Sequence, residues 1–161
     1  MFEQAGLLGT GRQDLAEADA RVLVPRLLVI DDDDLHRMII CRVAAKAGYL
    51  PAGAASYEEA VKLVQQTAFN CITLDLSLGD HVGVEMLRHL WVVGCKAPII
   101  IISGCDGPTC SETAKVAESL KLNVWELVPK PVDLAVLRDL LERLKAEQEA
   151  PAAQAAQVSP A

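Results

Sequence analysis

The chain has 161 residues, 52% of them hydrophobic and 23% charged, which suits one globular domain with a full core and is too apolar for a disordered protein. A net charge of -7 and an isoelectric point near 4.9, with no block of Lys and Arg, exclude a general nucleic-acid binder. Direct DNA binding is therefore not expected, and proteins, cations or small molecules are the predicted partners.

The N-terminal "MFEQAGLLGT" has no basic segment followed by an apolar run, and no uninterrupted apolar stretch reaches membrane-spanning length. Five cysteines, Cys41, Cys71, Cys95, Cys105 and Cys110, form an odd set without Cys-x-x-Cys spacing or nearby His ligands. They read as reduced thiols, so the expectation is a cytoplasmic protein with no membrane partner.

In chain order, residues 1–25 read as a leader, with Leu15, Ala18 and Val22 spaced for a short amphipathic helix. Its "GTG" at Gly9 to Gly11 follows no strand and is not a phosphate loop. From residue 26 the pattern alternates. Short apolar runs occur at "LLVI" (27–30), "CITL" (71–74), "PIIII" (98–102) and "VWELV" (124–128), with a weaker one at "YLPAGAA" (49–55). Each is followed by a helical pattern. Leu35, Met38, Ile39, Val43 and Ala47 form a stripe closed by Gly48; Ser56-Tyr-Glu-Glu is a capping box before Ala60, Val61 and Val64. Val84, Leu87, Leu90 and Trp91 form a third face ending at Gly94, and Thr109-Cys-Ser-Glu112 spells a second capping box. The strongest stripe is Leu134, Leu137, Leu140, Leu141 and Leu144; after it, residues 146–161, rich in Ala, Gln and Pro, read as a disordered tail.

Five strands alternating with five helices imply a parallel sheet covered on both faces, an α/β fold whose ligands lie beyond the carboxyl ends of the strands. At those ends stand Asp31 and Asp32, then Asp75, then Ser103-Gly104, then Lys130-Pro131. Any one of them alone would more often be a turn or cap residue or a solvated loop. Together, three carboxylates on one edge call for a hard divalent cation, for which octahedral Mg²⁺ is suited, while a hydroxyl and an ammonium suit a phosphoryl group.

The segments "LLVIDD", "ITLDLSLGDHVGVEML", "PIIIISG" and "LVPKP" resemble, in order and in strand context, the response-regulator receiver domain over about residues 26–145. The resemblance implies a flavodoxin-like (βα)5 doubly wound sheet of order 2-1-3-4-5, with Asp75 as phosphoacceptor. It implies Mg²⁺ held by Asp75, directly by Asp32, through water by Asp31, and by the backbone carbonyl of Ser77, with Ser103 and Lys130 on the phosphoryl oxygens. A one-residue slip along the Asp run would exchange Asp31 and Asp32. Asp33 and Asp34 are expected to serve the first helix N-terminus. The implied function is a single-domain, non-enzymatic switch of bacterial two-component phosphorelay signalling. Its partners would be a sensor histidine kinase or histidine phosphotransferase and a downstream protein, with the leader free to pack on the domain or to form a homodimer.

The sequence departs from the family in three places. The loop "LSLGDHVGVE" lacks the usual Pro, Leu127 stands where an aromatic switch residue is usual, and Ser103 to Lys130 spans 27 positions, longer than the family pattern by about one helical turn. Ser77 and Cys105, two positions after the matched Asp75 and Ser103, lie where receivers vary side chains that tune dephosphorylation; His81 is read as a solvated loop residue. Two alternatives compete. One is a receiver-like interaction module that is never phosphorylated. The other is a haloacid-dehalogenase-like phosphatase with Asp31 as nucleophile and Asp33 as acid, disfavoured because the later motifs stand in the wrong order.

Overall fold

A computed structural model describes residues 23–76, 82–104 and 108–155. The expected leader helix, Ser77, His81 and Cys105 lie outside the described residues. Five strands, β1 (Arg26–Ile30), β2 (Leu50–Ala54), β3 (Cys71–Asp75), β4 (Ile99–Ser103) and β5 (Val124–Pro129), alternate with five helices. These are α1 (Asp34–Lys46), α2 (Tyr57–Gln66), α3 (Val82–Val92), α4 (Pro108–Ser119) and α5 (Leu134–Ala155). The strands pair in parallel in the order β2-β1-β3-β4-β5, the flavodoxin-like arrangement expected.

The pleat divides the core into two layers. Leu27, Val29, Ile100 and Ile102 face α1 and α5, where Ile40, Val43, Leu137 and Leu141 cover them. Leu28, Ile30, Ile72, Leu74, Ile99 and Ile101 face the opposite way, onto Ala60 of α2, Met86, Leu87 and Leu90 of α3 and Ala117 of α4. Unalternated apolar runs follow directly from this two-sided burial, each buried Leu or Ile contributing roughly 1.5–3 kcal/mol relative to exposure. The strand β5 is different: at the sheet edge it buries only Val128, leaving Glu126 and Leu127 exposed. Between Ile99 and Ile100 its register with β4 shifts, from Val124 to Glu126, so Trp125 is an extra residue bulged out of the ladder. That bulge takes up one residue of the long Ser103-to-Lys130 interval.

Local chemistry fixes the helix ends. Asp33 caps α1 by accepting the His36 amide N–H at 2.9 Å, and Gly48, at φ +93°, stops it. At α2 the Ser56 hydroxyl accepts the Glu59 N–H at 3.2 Å, while the Glu59 carboxylate accepts the Ala55 N–H at 2.8 Å, a capping box reaching one residue further back than usual. Two expectations need correction. The helix α4 begins at Pro108, so Thr109 lies inside its first turn and is not the cap; the fixed φ of proline starts a helix one step before the spelling suggests. The helix α5 continues to Ala155, so residues 146–155, read from sequence as the start of a disordered tail, are helical; Ala, Glu and Gln propagate a helix that the Leu stripe has already nucleated. Among the described residues no helix is long and apolar enough to cross a membrane, and Cys41, Cys71 and Cys95 are free thiols.

Candidate functional site

The order of the sheet reverses between β1 and β3, and the two residues that leave those strands at the crevice are Asp31 and Asp75. Both are buried. The main chain holds Asp31 in place: its N–H donates to the Ala54 carbonyl at 3.0 Å, and its carbonyl accepts from Arg37 Nη1 at 2.8 Å. Its carboxylate Oδ1 accepts the Asp33 N–H at 2.9 Å, and its Oδ2 meets His36 Nδ1. Burial pushes the Asp31 carboxyl above its ordinary range and the nearby Asp75 charge adds to the effect, against the lowering hydrogen bonds from His36 and the Asp33 amide.

From the other side of the sheet, β5 delivers Lys130, whose Nζ donates to Asp75 Oδ2 at 2.5 Å. The Lys130 N–H in turn donates to the Ser103 carbonyl at 2.9 Å, so the ends of β4 and β5 are tied together and Ser103, partly buried, stands beside the lysine. Gly104 lies against the lysine stem: a Cβ there would meet Lys130 Cδ at 3.5 Å. The Lys130–Pro131 peptide bond is cis. A cavity of about 470 Å³, lined among others by Asp33, His36, Lys130 and Pro131, opens next to these groups.

Of the residues singled out from sequence, the structure brings Asp31, Asp75 and Lys130 into one cluster, with Ser103 at its edge. Asp32 is exposed, and Asp33 and Asp34 serve α1: Asp33 as its cap and Asp34 in its first turn, paired with Arg37 at 2.5 Å. Two contributors were missed. A helix that begins at Asp34 folds residue 36 back over the strand end, yet the apolar stripe through Leu35, Met38 and Ile39 draws the eye past His36. One ligand atom each from Asp31, His36 and Asp75 lie within 4.8 Å of one another. Arg37 was likewise unmarked; beyond its hydrogen bonds, its stem packs on Gly53, where a Cβ would come within 3.1 Å of Arg37 Cδ.

Two buried carboxylates held at a distance a single cation can span, with one acid pushed up by burial, are a donor set that fits a divalent metal. A doubly wound sheet carrying such an acidic pocket at its switch point, with a lysine from the last strand closing it, defines a CheY-like receiver domain of two-component signal transduction. The chain belongs to the response regulator receiver domain family, which it matches over residues 27–142. It is 27% identical over 107 residues to the chemotaxis protein CheY of Thermotoga maritima, covering 66% of this chain and 85% of that protein. It is also 29% identical over 136 residues to the transcriptional regulatory protein ZraR of Salmonella typhimurium, covering 81% of this chain but 30% of that protein. A response regulator from Colwellia psychrerythraea has the same fold, with a TM-score of 0.68 and 26% identity over 78% of this chain and 99% of that one. Family membership replaces the phosphatase alternative.

Proposed function

We propose that this chain is a phosphorylation-controlled response regulator in which Asp75 accepts a phosphoryl group from a histidine kinase or histidine phosphotransferase. The observation that carries the reading is the placement of Asp75: buried at the end of β3, with Lys130 Nζ at 2.5 Å and with a ligand atom within 4.8 Å of one from Asp31. A carboxylate oxygen of Asp75 attacks phosphorus in line; the bond from phosphorus to the donor imidazole breaks, and the donor leaves as neutral histidine after taking up a proton. Lys130 is placed to follow the charge from the carboxylate to the phosphoryl oxygens, and the Ser103 hydroxyl to donate to them. Asp75 with the acidic pair Asp31 and Asp32, and the Ser77 carbonyl, would hold Mg²⁺. Bound there, the ion supplies neutralisation of the repulsion between the carboxylates and the incoming group.

The output is a change of protein contacts. Because the Lys130 amide is tied to Ser103, a hydroxyl drawn towards the new phosphoryl group moves the ends of β4 and β5 together, and with them the exposed edge at Leu127. Leu127 is 54% exposed and is not aromatic, so the readout is carried by an aliphatic surface and not by rotation of a ring. We read the chain as acting in the cytoplasm through its receiver domain on a downstream protein, with a homodimer as its candidate assembly.

Incubation with Mg²⁺ and acetyl phosphate is expected to add one phosphoryl group to the intact mass of the wild type and none to Asp75→Asn. Lys130→Ala should slow the addition by roughly a hundredfold, as expected for removal of one charge-stabilising donor. Failure of the wild type to gain mass would leave the interaction-module alternative.

A further inference from the structure

The structure assigns His36 a role as a metal ligand: Asp31, His36 and Asp75 form a two-carboxylate, one-imidazole site that takes a first-row transition dication of the Zn²⁺ class in addition to Mg²⁺. This deepens the reading above and rests on it for the part the site plays at Asp75.

His36 lies in the first turn of α1, whose start is fixed by the Asp33 cap; its side chain is 23% exposed, whereas those of Asp31 and Asp75 are 1% exposed. Its Nδ1 already meets Asp31 Oδ2, and one donor atom from each of the three residues falls within 4.8 Å. Donors at metal-bonding distances of about 2.0–2.2 Å from one ion stand about 3 to 4.4 Å apart, so side-chain adjustment has to open the Asp31–His36 contact, with the ion replacing that hydrogen bond, and draw in the wider separations. Asp31 is anchored through its N–H, its carbonyl and carboxylate Oδ1 by three separate hydrogen bonds, which leaves Oδ2 as the oxygen turned to His36.

Ligand chemistry gives the selectivity. Mg²⁺ prefers oxygen donors and retained water, and an imidazole adds little to its binding. Zn²⁺ and its neighbours accept imidazole nitrogen readily, so the same pocket gains affinity for them specifically through His36. Of the three proposed ligands, His36 borders the neighbouring cavity of about 470 Å³, so the imidazole is reachable from solvent. Among the described residues, this is the only group of three such side chains close enough to hold one ion.

The test uses the full chain, uniformly ¹⁵N-labelled and metal-free. Long-range ¹H–¹⁵N spectra of the histidine rings are recorded with one equivalent of Zn²⁺ and, separately, with excess Mg²⁺. Zn²⁺ should shift the His36 Nδ1 resonance strongly and reversibly on chelation, and Mg²⁺ should not. Calorimetry should show Zn²⁺ binding weakened by roughly ten- to a hundredfold in His36→Val, with Mg²⁺ affinity nearly unchanged. A His36 ring that does not respond to stoichiometric Zn²⁺ overturns the inference; so does unaltered Zn²⁺ affinity in a folded variant, and the wild-type spectrum decides the matter even if the variant does not fold. Mass measurement with Mg²⁺ and acetyl phosphate separates the two readings. A phosphoryl gain with an unresponsive His36 ring refutes the metal-ligand role alone, while a responsive ring with no phosphoryl gain refutes the phosphoacceptor role alone.

Discussion

Asp31 holds its negative charge at a cost to stability that a bound cation would offset. Its pKa in the folded chain lies above the ordinary 3.8, chiefly through burial, so folding favours its protonated form. The favourable contribution of that proton is complete below pH 3.8 and is lost as pH rises through the raised folded value. At pH 7 and without divalent cations, Asp31→Asn should therefore melt at a higher temperature than the wild type, with the difference shrinking as the pH is lowered and with Mg²⁺ stabilising the wild type more than the variant. Thermal melts across pH, with and without the ion, check this; an Asp31→Asn protein less stable at pH 7 would contradict it. Thr73, two residues before Asp75, poses the opposite problem: its buried Oγ1 has no hydrogen-bond partner among the described residues. Thr73→Val keeps the shape and removes the unsatisfied oxygen, and should stabilise by about 1 kcal/mol, a rise in melting temperature of roughly 3 °C. A lower melting temperature would show that the hydroxyl is in fact satisfied.

At the scale of elements, the helix ends separate what was legible from what was not. Gly48 and Gly94 were readable as stops because only glycine takes positive φ without strain, and both do so, at +93° and +69°. The end of α4 uses the same geometry without the signal: Lys121 sits at φ 55°, and the Leu122 N–H donates back to the Ala117 carbonyl at 3.1 Å. Lys121→Gly should relieve about 1 kcal/mol of left-handed strain, raising the denaturant midpoint without changing the slope of the transition; an unchanged or lower midpoint would refute the strain argument. The cap at Ser56 was legible because its partner Glu59 lies at fixed spacing. The start of α4 was not, because Pro108 and the Thr109 spelling compete, nor was the end of α5, because a Pro at 151 and an Ala/Gln-rich composition look like a tail. His36 escaped notice for a related reason: its role depends on where α1 begins, and a single histidine beside an apolar stripe carries no spacing signal of its own.

Over the whole molecule, the alternation of buried runs and amphipathic stripes was sufficient to identify a parallel doubly wound sheet, since two-sided burial leaves no other pattern. The strand order was implied only by family resemblance. No periodicity distinguishes β2-β1-β3-β4-β5 from other right-handed arrangements, and it is this order that puts Asp31 and Asp75 on the two strands flanking the switch point. The bulge at Trp125 was similarly invisible, because β5 at the edge does not alternate cleanly between buried and exposed. The phosphoacceptor role proposed for Asp75 is decided by finding the residue that carries the group. After incubation with Mg²⁺ and acetyl phosphate, borohydride reduction of an aspartyl phosphate leaves homoserine in its place, and peptide mapping locates it. Homoserine is expected at position 75 alone, and none in Asp75→Asn; an unmodified residue 75, or a modification found elsewhere in the chain, would rule out Asp75 as the acceptor.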